Sequence, residues 1–276
     1  MNIKIVADSS ANLHAFSGIA YASVPLKIVT DEKEYVDDAN LNTEEMLREL
    51  EAYKGRSGTS CPSVGDWLEA FGDAEYVFTI AITSNLSGSH NAAVQAKEVY
   101  EEKHPGRRVC CLDSLSTGPE MVLIAEKIRE LAEQGLDFDT IEAQVREYMQ
   151  KTHLLFCLES MENLAKNGRV SKVVAKAAGI LGIRVLGKAS DVGTLQQLHK
   201  CRGEKKALEA TLEEMENHGF TSGKVRIAHG LNEAAAEALL RLIRSAHPDI
   251  EATIVPLGGL CCFYAERGGF MIGFEG

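Results

Sequence analysis

Apolar residues in the first half of the chain fall into short, nearly continuous runs at residues 3–7, 76–82 and 109–112. Runs of that length, bounded by polar turns, predict strands buried on both faces. Residues 21–29 and 34–36 read as two further strands joined by a turn at Asp31-Glu32. Between the runs the spacing becomes helical. Asn42 with Glu45 three positions on predicts a helix start running to about residue 53. Ser63 with Asp66 repeats that capping signature ahead of Trp67, Leu68 and Phe71. Helices over 88–100 and 118–134 follow the second and third runs. Strands alternating with helices predict a mostly parallel sheet with helices on both faces. In such sheets a ligand sits outside the carboxyl ends of the strands. Here those ends carry Asp8-Ser9-Ser10, Thr83-Ser84 and Asp113-Ser114.

The second half continues the alternation. Residues 138–152 predict a helix with Phe138, Ile141, Val145 and Met149 on one stripe. A strand over 153–158 and two short helical pieces around Gly168-Arg169 follow. Strands are expected at 183–186, 193–198, 224–229, 252–256 and 270–274, with helices over 204–218 and 232–246. A boundary near residue 150 divides the chain into 1–150 and 151–276, with no internal repeat or low-complexity linker. The expected architecture is therefore α/β in two domains. The first carries a mostly parallel sheet with helices on both faces, the second a mixed sheet, and a ligand cleft lies between them.

Composition narrows the partners. Hydrophobic content of 45% and charged content of 25% over 276 residues describe a globular chain. A net charge of −11 argues against nucleic acid or an anionic membrane surface as a constitutive partner. No apolar run approaches the ~18 residues of a membrane span, so stable insertion is not expected. The chain opens on a strand-like run with no signal-peptide pattern. Four of the seven cysteines are adjacent pairs, Cys110-Cys111 and Cys261-Cys262, which are poorly placed for disulfides. Reduced thiols and a cytoplasmic location follow. The eight histidines show no paired spacing for zinc, and no glycine-rich fingerprint follows the first strand. Gly219 to Val225 has one residue too few between its glycines for a phosphate loop, and Val225 stands where Ser or Thr would be needed. No cofactor and no metal are expected.

Two stretches carry the candidate chemistry: Thr59-Ser60-Cys61-Pro62-Ser63, and Thr83-Ser84-Asn85-Leu86-Ser87-Gly88-Ser89. They bring small hydroxyls and free backbone N–H groups to a strand end and two helix starts, where an anion is held in such folds. Ser63 serves as a helix cap, and one hydroxyl of the second stretch does the same. Thr59, Ser60, Ser87 and Gly88 exceed what capping needs. No strong base, metal ligand or phosphate-loop lysine lies beside them, so the chemistry on offer is holding an anionic head group. Position 85 is Asn, which removes the glycine of a serine-nucleophile elbow. A Ser87–Asp113 hydrolase would also lack an assignable histidine base.

In this order, these residues resemble the DegV family of bacterial fatty-acid-binding proteins. Asp8-Ser9-Ser10 matches the family's Asp-Ser-(Ser/Thr). Thr59 to Ser63 matches Thr-Ser-Gln-Pro-Ser with Cys61 for Gln, and Thr83 to Ser89 matches Ser-Ser-x-Leu-Ser-Gly-Thr with the end residues exchanged. Asp113-Ser114, Met161 to Arg169, Arg202 to Ala207 and the strand-end His229 match further family segments, so the resemblance spans nearly the whole chain.

The resemblance implies that a long-chain fatty acid is buried between the domains, its carboxylate held by Thr59, Ser60, Ser87 and Gly88. It implies a non-catalytic lipid-binding subunit whose separate ATP-binding kinase partner phosphorylates that carboxylate for phospholipid synthesis. Arg169, Arg202 and Glu266 would meet the head group or the kinase, with Asp8, Ser9, Asp113, Ser114 and His229 nearby. Val173, Val174, Ala177, Ile180 and Leu181 either line the lipid tunnel or belong to plain core. Departures are visible. The family's His-Thr-Gly-Pro-Gly-Ala-Leu-Gly aligns with Glu266 to Gly273, which puts a carboxylate where the head-group histidine stands and Phe270 where a glycine does. That carboxylate would repel an acyl phosphate unless Arg267 or Arg169 pairs with it. The family's Lys-Pro is Arg184-Val185 here. The competing reading is a protein of the dihydroxyacetone kinase type, with a small polar ligand and His229 as its reactive residue.

Overall fold

The computed structural model describes residues 2–172 and 182–276. The first half runs β1 (Ile3–Asp8), β2 (Ala20–Val24), β3 (Lys27–Thr30), β4 (Glu34–Val36), α1 (Thr43–Ala52), β5 (Ser57–Ser60), α2 (Val64–Phe71), β6 (Tyr76–Ala81), α3 (Ser89–Lys103), β7 (Arg108–Asp113), α4 (Pro119–Glu133) and α5 (Phe138–Tyr148). The second runs β8 (Thr152–Leu158), α6 (Glu162–Lys166), β9 (Ile183–Ala189), β10 (Leu195–Arg202), α7 (Glu204–Asn217), β11 (Gly223–His229), α8 (Glu233–Ala246), β12 (Ile250–Pro256), α9 (Gly259–Ala265) and β13 (Phe270–Glu275). Among the described residues no helix is long and apolar enough to cross a membrane.

The first sheet has the order β2-β1-β6-β7 and is parallel throughout. Its strands are buried on both faces, which is why their apolar runs are unbroken. Ile5, Phe78 and Ile80 face α4 and α5, packing on Met121, Ile124, Ile128, Phe138 and Ile141. The alternate residues Val6, Val77 and Ala81 pack on Trp67, Phe71, Ala93 and Tyr100 of α2 and α3. The second sheet, β10-β9-β8-β13-β11-β12, is antiparallel except for β11 and β12. One face of it carries α7 and α8, through Ala207, Met215, Leu239 and Ile243.

Helix α4 is shared by both sheets, so it is buried almost all round. It lies close to β13 because position 273 is glycine: a Cβ there would come within 2.6 Å of the Glu120 backbone nitrogen. Its polar residues on that side are all answered. Thr152 Oγ1 donates to Glu120 Oε1 at 2.8 Å. Arg226 donates from Nε and Nη2 to the two oxygens of Glu126 at 2.9 and 2.8 Å. Both partners of that ion pair are buried.

Three sequence expectations change. Residues 21–29 form two strands in different sheets, broken at Pro25-Leu26, where proline has no N–H to offer a ladder. The Leu26 N–H goes instead to Ser9 Oγ at 3.0 Å. Residues 57–60 are a strand, β5, pairing antiparallel with β3; Ser-Gly-Thr-Ser has no apolar alternation to announce it. Residues 259–265 form α9, whose Leu260, Cys261, Cys262, Phe263 and Ala265 are buried, leaving no polar face for helical periodicity to reveal. Of the two short helical pieces expected around Gly168, α6 is present and the second falls on residues outside those described.

Burial pushes the Glu120 carboxyl up to about 7 from an ordinary 4.5. Between those values the folded protein holds a proton that the unfolded chain has released. Stability therefore falls as pH rises through that window, and the loss is complete above it. Glu120→Gln keeps an acceptor for Thr152 and should raise urea stability by about 2–3 kcal/mol near pH 8, with little gain near pH 4. A gain independent of pH would contradict the assignment. Arg226→Met removes both hydrogen bonds to the buried Glu126 carboxylate, leaving it Lys224 at 3.7 Å, and should cost about 3 kcal/mol in the same assay, and adding Glu126→Leu should return most of it.

Candidate functional site

The carboxyl ends of β1, β6 and β7 meet around Asp8. Asp8 is fully buried and accepts from Ser10 N, Ser10 Oγ, Ile82 N and Ser89 Oγ at 3.2, 2.5, 2.9 and 2.6 Å. Burial dominates its titration and raises its carboxyl to about 6 despite those donors. The bonds to Ile82 and Ser89 tie down both ends of the loop that carries Ser87 and Gly88. Gly88 precedes helix α3 and gives it no side-chain cap, and Ser87 Oγ accepts from Ser89 N at 3.3 Å. Asp113 steadies the neighbouring loop by accepting from Ser84 N and Leu115 N, each at 3.1 Å. Ser114 Oγ likewise donates to Ser116 O at 3.0 Å.

A cavity of about 290 Å³ opens beside this platform, between the two halves. That is near the lower end of the roughly 300–1,000 Å³ range of ligand pockets. Leu154, Phe156 and Leu158, alternate residues of β8, line one wall; the intervening Leu155 and Cys157 face the other side of the sheet. Leu26, Ile82, Leu86, Leu164, Leu195, Leu260 and Met271 complete an aliphatic lining.

Its polar groups are Thr59, Ser60, Ser87, Thr117, Arg169 and Tyr264, with Gly88, Cys61 and Cys261 beside them. Thr59 Oγ1 and Tyr264 OH are 2.8 Å apart, in a hydrogen bond that either could donate. Arg169 Nε donates to Leu86 O at 3.3 Å, beside Ser87. A Cβ on Gly88 would lie 3.2 Å from Cys61 Sγ, so the bare backbone there keeps the approach open. Arg169 is the one charged group among the described lining residues, and they offer it no carboxylate.

The structure thus brings Thr59, Ser60, Ser87, Gly88 and Arg169 together, and sets Asp8 and Ser9 beneath them. Ser9 Oγ accepts from Leu26 N, and Ser89 Oγ donates to Asp8. Other expected residues lie elsewhere. Arg202 is exposed on β10 and is absent from the lining. Glu266 Oε1 accepts from Asn163 N at 3.1 Å, outside the cavity. The residue of that segment that does reach the cavity is Tyr264, so Glu266 does not take the head-group place expected of it. Phe270 packs with Leu155 and Cys157 on the far face of the sheet and does not shorten the cavity; its neighbour Met271 lines it. His229 Nδ1 accepts from Asn232 N at 3.2 Å, and desolvation lowers its basicity. It is not among the described lining residues, which leaves a small-ligand kinase without its histidine. Val173, Val174, Ala177, Ile180 and Leu181 lie outside the described residues. Sequence reasoning missed Tyr264 and the β8 wall. Tyr264 sits in an all-apolar helix, and residues 153–158 read as an ordinary buried strand.

Comparison with known proteins agrees with this architecture. The family model described as "Uncharacterised protein, DegV family" matches residues 2–275. A DegV domain-containing protein of Streptococcus pneumoniae is 41% identical over 279 residues, covering 100% of this chain and 99% of its own. The crystal structure of a DegV family protein from Eubacterium eligens loaded with heptadecanoic acid has a TM-score of 0.97 at 45% identity and covers 99% of both chains. That of the Streptococcus pneumoniae Fatty Acid Kinase (Fak) B3 protein loaded with linoleic acid has a TM-score of 0.98 at 40% identity, over 100% of this chain and 99% of that one. With a family match across essentially its whole length and these near-superposable relatives, the chain belongs to the DegV family.

Proposed function

We propose that the chain binds a long-chain fatty acid, with the acyl tail against the aliphatic walls and the carboxylate at the hydroxyl end. The carrying observation is the distribution of charge among the described lining residues: one arginine, Arg169, with no carboxylate beside it, among hydroxyls, and aliphatic side chains elsewhere. A monoanion with a long apolar tail matches that distribution. A small polar ligand would leave the aliphatic walls wet. Burial contributes about 0.8 kcal/mol per methylene, so the tail supplies most of the affinity. Hydrogen bonds to the charged head add roughly 1.5–3 kcal/mol each and set its orientation. Relatives loaded with linoleic and heptadecanoic acids support the reading.

The chain then presents the carboxylate to a separate ATP-binding kinase subunit and is itself non-catalytic. Ser60, Cys61 and Gly88 are exposed at the polar end, which leaves a route for a partner to reach the head group. The exposed Arg202 is a candidate contact for that partner. The similarity to a protein called Fatty Acid Kinase B3 supports this role. The reading needs no cofactor on this chain, and it places the protein in the cytoplasm beside its ATP-using partner.

An organic extract of the purified protein, read by mass spectrometry, should contain a stoichiometric fatty acid. An empty extract, together with no uptake of added oleic acid, would overturn the reading. Thr59→Ala and Ser87→Ala should each weaken oleic-acid binding about tenfold, and Arg169→Ala by at least that much, with little change in melting temperature. Unchanged affinity in all three would remove the head-group assignment.

A further inference from the structure

We propose that Tyr264 is the positioning residue of the head-group end: its phenol donates to Thr59 Oγ1 and thereby turns the single hydroxyl hydrogen of Thr59 toward the ligand. The inference rests on the fatty-acid reading above and deepens it. Thr59 Oγ1 and Tyr264 OH are 2.8 Å apart and both line the cavity. Each hydroxyl has one hydrogen, whereas an ionised carboxylate only accepts. Were Thr59 to donate to Tyr264, it would meet the carboxylate with lone pairs. The opposite direction leaves a donor facing the ligand and polarises two hydrogen bonds in series. A phenol is the stronger acid of the two groups, which favours the same direction.

The ring is well held for this task. Tyr264 lies at the end of α9, whose other residues after Gly259 are buried, and it packs on Phe263 with centroids 4.9 Å apart at 65°. Burial raises the phenol's pKa, so it stays a donor. The pair is neutral, so among the described lining residues Arg169 remains the single charge facing the carboxylate. A site built this way favours a head group that only accepts, a carboxylate, over a primary alcohol of the same chain length.

The test uses the full chain after lipid removal and compares oleic acid with oleyl alcohol by calorimetric titration. Tyr264→Phe should weaken the acid about tenfold and the alcohol by less than about threefold. Thr59→Val combined with Tyr264→Phe should be no weaker for the acid than Thr59→Val alone. Equal losses for acid and alcohol would mark Tyr264 as packing only and overturn the proposal, as would additive losses in the double variant. Wild-type protein that takes up the acid alongside an indifferent Tyr264→Phe variant would sink this proposal alone. Wild-type protein that takes up no acid would sink the fatty-acid reading and this proposal with it. If the variant does not fold, a crystal structure of the wild-type oleate complex decides. Thr59 Oγ1 should lie within about 3.2 Å of both Tyr264 OH and a carboxylate oxygen; a carboxylate beyond that reach would overturn the assignment.

Discussion

Asp8 takes hydrogen bonds from three separate segments, and none of its bonded partners is a cation. Burying a carboxylate in this way is expensive, as its raised pKa records. The donors offset that cost, and the geometry they impose is what the site uses. Ile82 at the end of β6 and Ser89 at the start of α3 are both fixed to one side chain. The loop between them, with Ser87 and Gly88 near its close, has little freedom left. Hydroxyls that would otherwise sit on a mobile turn are therefore held in place before any ligand arrives, which lowers the ordering cost of binding.

A second buried carboxylate does the corresponding work for the opposite wall. Asp37, in the first half, accepts from Gly259 N and Leu260 N at 2.6 and 3.0 Å. Those are the first N–H groups of α9, the helix end that favours negative charge. Asn12 Oδ1 adds a bond from Gly258 N at 2.9 Å. Glycine at position 259 keeps this contact close, because a Cβ there would fall 2.8 Å from Asp37 Oδ1, the carboxylate that the two N–H groups hold. Anchored at its start on the first half and leading into β13 at its end, α9 spans the junction of the halves. Leu260 and Cys261 supply apolar lining, and Tyr264 reaches Thr59. One short helix, docked through Asp37 and Asn12, thus contributes to both the apolar wall and the polar end.

The parallel sheet was legible in the sequence because burial on both faces left unbroken apolar runs, and its strand ends announced themselves through Asp8, Thr83 and Asp113. Helix starts were legible where capping chemistry was local, as at Asn42 and Ser63, whose side chains accept from Glu45 N and Asp66 N. Pattern failed where a residue's role depended on a distant partner. Pro25 ends one strand and redirects the chain into another sheet, which no alternation encodes. The Ser57–Ser60 strand exists because β3 pairs with it. Tyr264 lies 205 positions from Thr59 in the chain, so nothing local could couple them. The resemblance to a family filled part of that gap, yet it put Glu266 at the head group, where Tyr264 of the same segment lines the cavity instead.

That difference changes the electrostatics of the head group. With Glu266 in the cavity, a bound carboxylate would face a like charge, and Arg169 would be needed to neutralise the protein's own acid before attracting a ligand. With Glu266 engaged at Asn163 N and Tyr264 in its stead, Arg169 is held by the backbone carbonyls of Leu86 and Asn167 and meets no carboxylate among the described lining residues. The phenol adds donor capacity without adding charge. One positive group then meets one negative group in a low-dielectric setting, where an unbalanced charge on either side would be costly. The cavity's aliphatic walls reinforce this balance, because they exclude the water that would otherwise screen a mismatch.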